Sequence, residues 1–107
     1  MNTITLSPAA LADLDLLSNH FSDHTGRPSL ARQFRASVEE TAHLIATDPS
    51  VGRLVGDCEG TELRQIPIRR FATHRIFYAI EGKSLVLVRI FHGAGAATRL
   101  LDGDVSD

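Results

Sequence analysis

Residues 74–92 read His74-Arg75-Ile76-Phe77-Tyr78-Ala79-Ile80-Glu81-Gly82-Lys83-Ser84-Leu85-Val86-Leu87-Val88-Arg89-Ile90-Phe91-His92. Two runs rich in β-branched and aromatic residues flank Glu81-Gly82-Lys83-Ser84, the pattern of a β-hairpin. The first strand is expected over Thr73 to Ile80. The second, Leu85 to Phe91, is almost continuously apolar and is expected to be a central strand covered on both faces. A two-residue turn at Gly82 and Lys83 pairs Ile76 with Arg89 and Arg75 with Ile90, which sets Arg75 and Arg89 on opposite faces; a three-residue turn changes that register.

Upstream, Glu62 to Ile68 has strand character, with Arg64, Ile66 and Ile68 on one side and Pro67 pointing to an edge or a bulge. Residues 49–60 hold Pro49, Gly52, Gly56 and Gly60 and read as a loop. Before them lie two helical patterns. Ser7-Pro8 offers a cap and a first-turn proline, and Leu11, Leu14, Leu17 and Phe21 follow at helical spacing until His24-Thr25-Gly26. Pro28 opens a second helix with Leu30, Phe34, Val38, Thr41, Ala42 and Ile45 on one stripe, stopped by Asp48-Pro49. Thr3 to Leu6 alternates as a short strand that needs the later sheet as a partner. Downstream, Gly93 and Gly95 break the last strand, and Ala96 to Leu101 is expected to form a short helix. The fold class expected is α+β: a small, largely antiparallel sheet in β-α-α-β-β-β order packed against an N-terminal helical hairpin, with a short C-terminal helix.

Composition narrows the functional classes. The chain has 107 residues, enough for one domain, and 43% are hydrophobic, which excludes a disordered chain. No apolar run approaches the roughly 20 residues of a membrane span, and the N-terminus lacks signal-peptide character. The single cysteine, Cys58, excludes an internal disulfide and a Cys-rich zinc site. A cytoplasmic location is expected. Charge is uneven: residues 1–60 hold four basic and eight acidic residues, residues 61–101 seven and two, and the last six residues add three aspartates. A basic half in an acidic protein suggests an anionic partner, nucleic acid or an acidic protein segment. The alternative is that arginines on exposed strands only keep the sheet soluble.

None of the five histidines has metal-ligand spacing with another His or Cys, and no P-loop, dinucleotide fingerprint or nucleophile elbow is present. No cofactor and no metal are expected. Asp13 and Asp15 lie two apart on a helix and cannot act as a pair. The basic-aromatic cluster of the last three strands is the strongest functional signal. Cleaving RNA requires a base, an acid and cations on the phosphate. His92 suits acid or base, Arg75 and Arg89 suit phosphate, and Tyr78 suits stacking or hydrogen bonding, although residues such as Phe77 and Tyr78 more often belong to a core.

Leu63-Arg64-Gln65-Ile66-Pro67, His74-Arg75-Ile76-Phe77-Tyr78, Glu81-Gly82 and Val88-Arg89-Ile90-Phe91-His92-Gly93-Ala94 together resemble the RelE/ParE superfamily of toxins from bacterial type II toxin–antitoxin modules. The Phe-His-Gly-Ala and Leu-Arg-x-x-Pro runs are more similar to ParE. The resemblance covers residues 1–101 as one toxin domain and leaves 102–107 as an acidic, flexible tail. It implies a sheet packed on a helical hairpin, and a cognate antitoxin that folds across the toxin with apolar anchors and acidic groups. For ParE-like chains it implies a non-enzymatic poison of DNA gyrase. For RelE-like chains it implies an endoribonuclease acting on ribosome-bound mRNA, with Arg75 and His92 matching a phosphate-binding arginine and a catalytic histidine. A third possibility is a fold that only binds antitoxin. The residues expected to carry toxicity or target binding are Arg64, Arg75, Tyr78, Arg89, His92 and Arg99. In ParE-like chains Arg-Asp typically follows His-Gly-Ala; here Gly95 and Ala96 stand there.

Overall fold

The computed structural model describes residues 3–25, 28–58 and 60–93. Arg99, the expected C-terminal helix and the acidic tail lie outside the described residues. The elements run β1 (Thr3–Leu6), α1 (Pro8–Thr25), α2 (Pro28–Thr47), β2 (Arg53–Cys58), β3 (Thr61–Ile68), β4 (Phe71–Glu81) and β5 (Ser84–His92). One sheet forms in the order β1-β5-β4-β3-β2, with β1 parallel to β5 and the other neighbours antiparallel. The α+β class and the helical hairpin are as expected.

The helices start and stop where local chemistry sets them. Ser7 Oγ accepts the Ala10 N–H at 3.0 Å, capping α1. The buried stripe of α1 runs through Ala10, Leu14, Leu17 and Phe21. Leu11, expected on it, is 51% exposed, because the stripe passes one residue earlier in the first turn. On α2, Phe34, Val38, Thr41, Ala42 and Ile45 are buried as the periodicity predicts. These side chains meet Ile66, Ile68, Ile76, Tyr78, Leu85, Leu87 and Ile90 of the sheet in one core. Each fully buried branched or aromatic side chain contributes about 1.5–3 kcal/mol.

Three expectations are corrected. Residues 53–58 are not loop but strand β2, paired with β3 from Arg53 opposite Gln65 to Cys58 opposite Thr61. Gly56 hid the strand. It sits at a bulge where Val55 is the extra residue, a position at which glycine is tolerated. The turn at Gly82 and Lys83 has two residues, with Gly82 at φ 63°, yet the predicted register fails beyond it. Tyr78 faces Leu87 and Phe77 faces Arg89, so Val88 is bulged and every later pair shifts by one. Arg75 therefore opposes Phe91, and Arg75 and Arg89 share a face. Finally, β5 is central only between β4 and β1, and among the described residues the helices cover one face of the sheet. On the other face Leu63 and Phe77 are closed over by Val55, Val88 and Phe91, all strand side chains.

A hydroxyl–glycine clamp fixes the connection from α2 into β2. Tyr78 is fully buried; its hydroxyl accepts the Gly52 N–H at 2.8 Å and donates to the Pro49 carbonyl at 2.8 Å. A Cβ on Gly52 would stand 2.4 Å from that hydroxyl, so the close approach requires glycine. Tyr78→Phe leaves a buried donor and acceptor unpaired and is expected to cost about 1–3 kcal/mol, read as a lower midpoint in urea with an unchanged slope.

Candidate functional site

The five described residues of the six singled out by sequence do not converge. Arg64 belongs to the clamp: its Nη1 donates to the Gly52 carbonyl at 2.8 Å, and Nη2 to Glu62 at 3.3 Å. Tyr78 binds the same glycine from beneath. Burial pushes its hydroxyl pKa up, and its ring, enclosed in the core, presents no face for stacking on a base. Arg64 and Tyr78 thus act together on loop geometry.

Arg89 is engaged as well. It lies on the face of Phe77 and Phe91, with its guanidinium 4.4 Å from the Phe91 ring centre, and reaches over the sheet edge to α1. There Nε and Nη2 donate to the two carboxylate oxygens of Asp13 at 2.8 and 3.0 Å, a bidentate pair. Asp13 Oδ2 also accepts the Ile90 N–H at 2.9 Å. The Asp13 side chain is only 13% exposed, so this pair is largely dry.

His92 and Arg75 are adjacent in register but on opposite faces. Arg75 alternates with Phe77 onto the helix-free face. His92 lies across from His74, ring centres 4.8 Å apart, on the helix-covered face. His74 is 8% exposed and packs on Phe21 of α1 and Phe34 of α2 at 5.6 and 5.4 Å between ring centres. Burial, then the neighbouring His92 and His20, push the His74 pKa below its usual 6.5. With Leu16, Leu17, Asn19, His20 and Phe21, the two histidines line a groove of about 640 Å³. It is mainly apolar, and Leu16 on its rim is 70% exposed. No group of three His, Cys, Asp or Glu among the described residues has the geometry to hold a metal.

The comparisons with known proteins agree with this architecture. The family model described as ParE toxin of type II toxin-antitoxin system, parDE, matches residues 4–96. The chain belongs to the ParE toxin family. A solved chain from the chromosomal ParDE TA system from P. aeruginosa shares the fold at a TM-score of 0.70 and 21% identity, over 88% of this chain and 98% of that one. Among curated proteins no sequence matches. In this ParE-family toxin, sequence reasoning missed Asp13, His20, His74 and Gln65 as parts of the two faces. Asp13 was legible in principle: it is the one charged residue among Ala10, Leu14 and Leu17 on the inward side of α1, just as Arg89 is the one charged residue within the apolar run of β5.

Asp13→Ala strands Arg89 and the Ile90 N–H together; the expected cost is about 3 kcal/mol, measured by urea unfolding. Stability should also depend on pH through His74. Its pKa is lowered in the folded state, so the unfolded chain takes up the proton first as pH falls. The contribution is intact above the unfolded value of about 6.5 and is lost progressively below it, until pH passes the folded pKa. Unfolding midpoints measured from pH 7.5 to 5 should fall in the wild type and flatten in His74→Phe.

Proposed function

We propose that this chain is a toxin that inhibits DNA gyrase by binding it, without catalysing a reaction of its own, and that a cognate antitoxin neutralises it in the cytoplasm. The observation that carries the reading is the family match over residues 4–96, joined to a sheet that does not assemble nuclease chemistry. An acid–base residue and a phosphate-holding cation must reach one phosphodiester together. Arg75 and His92 stand on opposite faces, and Arg89 is committed to Asp13. These facts speak for a binding protein over a ribosome-dependent endoribonuclease. The described helices contain no segment long and apolar enough to cross a membrane.

The test is supercoiling of relaxed plasmid by purified gyrase, with toxin added in increasing excess and a Gly95→Arg variant run beside it. Loss of supercoiling that is restored by the antitoxin is expected. Unaffected supercoiling with both proteins would sink the gyrase reading. Cleavage of mRNA on translating ribosomes, abolished by His92→Ala or Arg75→Ala in folded protein, would establish the nuclease reading in its place.

A further inference from the structure

We propose that the β3–β4 turn is a phosphate-binding tip, at which Arg69, Arg70 and Arg75 hold the backbone of duplex DNA. The inference rests on the gyrase reading above only for its choice of DNA as the polyanion. Residues 61–101 hold seven basic residues against two acidic ones, and the fold sorts them. Arg64 is committed to Gly52 and Glu62, and Arg89 to Asp13. Lys83 lies in the β4–β5 turn, at the far end of the sheet. Arg69, Arg70 and Arg75 are gathered at the near end. The first two form the turn between Ile68 and Phe71, and Arg75 stands opposite Pro67.

The turn is held in a costly conformation. Arg70 has a φ of 70°, in the left-handed region that glycine takes freely and an L side chain resists. The main chain beside it is anchored from below. The Arg69 N–H donates to Thr41 Oγ1 at 3.1 Å, and that buried hydroxyl donates to the Ser37 carbonyl at 2.7 Å. A strained backbone position that carries arginine over a buried anchor marks a side chain presented for use.

Charge and polarity name the occupant. Both guanidiniums face the same oxygen, Glu40 Oε1, at 4.0 and 3.4 Å, and their side chains stay 71% and 57% exposed. One carboxylate thus answers two cations, and Arg75 makes no ion pair among the described residues. The strand carboxylates Asp57, Glu62 and Glu81 lie at the opposite end of the sheet. A chain of net charge −2 therefore turns its positive end toward a polyanion. None of the exposed large hydrophobic side chains falls within residues 69–75, and Phe71 points inward, onto Phe21 and Phe34 at 5.2 Å between ring centres. A protein partner needs apolar anchors at the centre of its interface. An arginine surface without them fits phosphate, which the guanidinium fork grips.

The experiment titrates the purified full-length toxin into a fluorescein-labelled duplex of about 20 base pairs and arbitrary sequence. Anisotropy is read from about 50 to 500 mM salt, and thermal unfolding of each free variant is read beside it. Three phosphate contacts predict a slope of log affinity on log salt of about −3. Arg69→Gln with Arg70→Gln should flatten the slope by about 2 and weaken binding about 100-fold at the lowest salt; Arg75→Gln should flatten it by about 1. Arg70→Gly should flatten it by about 1 while the melting temperature rises by about 2–4 °C, because the strain is relieved. A purely structural role for Arg70 predicts a lower melting temperature and an unchanged slope. Lys83→Gln, which removes one charge at the far end, is the control and should leave the slope unchanged.

A wild-type toxin whose binding to duplex is absent or independent of salt overturns the inference. An equal loss in Lys83→Gln overturns it too, by reducing the effect to net charge. Tighter binding to single-stranded RNA, or binding to polyglutamate that the same arginine variants abolish, gives the tip to another partner and overturns it. Gyrase supercoiling untouched by wild-type toxin, with the predicted salt slopes intact, removes the gyrase reading and leaves the DNA contact standing.

Discussion

The structure depends on how α1 is stitched to the edge of β5. β1 covers that edge only as far as Leu87. Beyond it, the backbone of β5 would be bare, and a bare strand edge recruits other chains. The first turns of α1 take over. Ser7 N–H donates to the Leu87 carbonyl, Ser7 Oγ donates to the Val88 carbonyl at 2.7 Å, and Asp13 accepts the Ile90 N–H. A capping serine and one aspartate therefore do for β5 what a longer β1 would have done. They also dock the helix at a fixed height on the sheet, from which Leu14, Leu17 and Phe21 reach the core.

Next to that stitching, the strand side chains divide between two faces. The bulge at Val88 sets Arg89 on the same side as Phe77 and Phe91 while its guanidinium turns over the edge to Asp13. Without the extra residue, Arg75 and Arg89 would lie on opposite sides. With it, one face gathers the arginines of β2, β4 and β5, and the other gathers His20, His74 and His92 at the end of the helical layer. Arg75 and His92 are consequently separated by the thickness of a sheet.

Most of the fold was legible because its signals are local. The stripe on α2, the proline that ends it, the Ser7 cap and the Gly82-Lys83 turn each arise within a few residues, and each appears where the periodicity predicts. The misses are long-range. β2 is a strand because β3 offers it a ladder, and its own glycines argue otherwise. The Val88 bulge lies beside the Asp13 and Ser7 contacts, whose partners are more than 70 residues apart in the chain. The candidate site was less legible than the fold for the same reason. Arg64 and Arg89 look free in a linear reading, and each is engaged by a residue distant in sequence: Gly52 for the first and Asp13 for the second.

The parallel pairing of the first strand with the last also bears on synthesis. Ser7 and Val88 are 81 residues apart, so at a chain growth of about 5–20 residues per second β1 precedes its partner by about 4–16 s. During that interval α1 and α2 can pair with each other, but neither the edge nor the core can close. A nascent chain interrupted before β5 therefore lacks both of the faces described above. A toxin of this design completes neither face until β5 has been made, and products truncated before it lack the strand that joins β1, β4 and both helices.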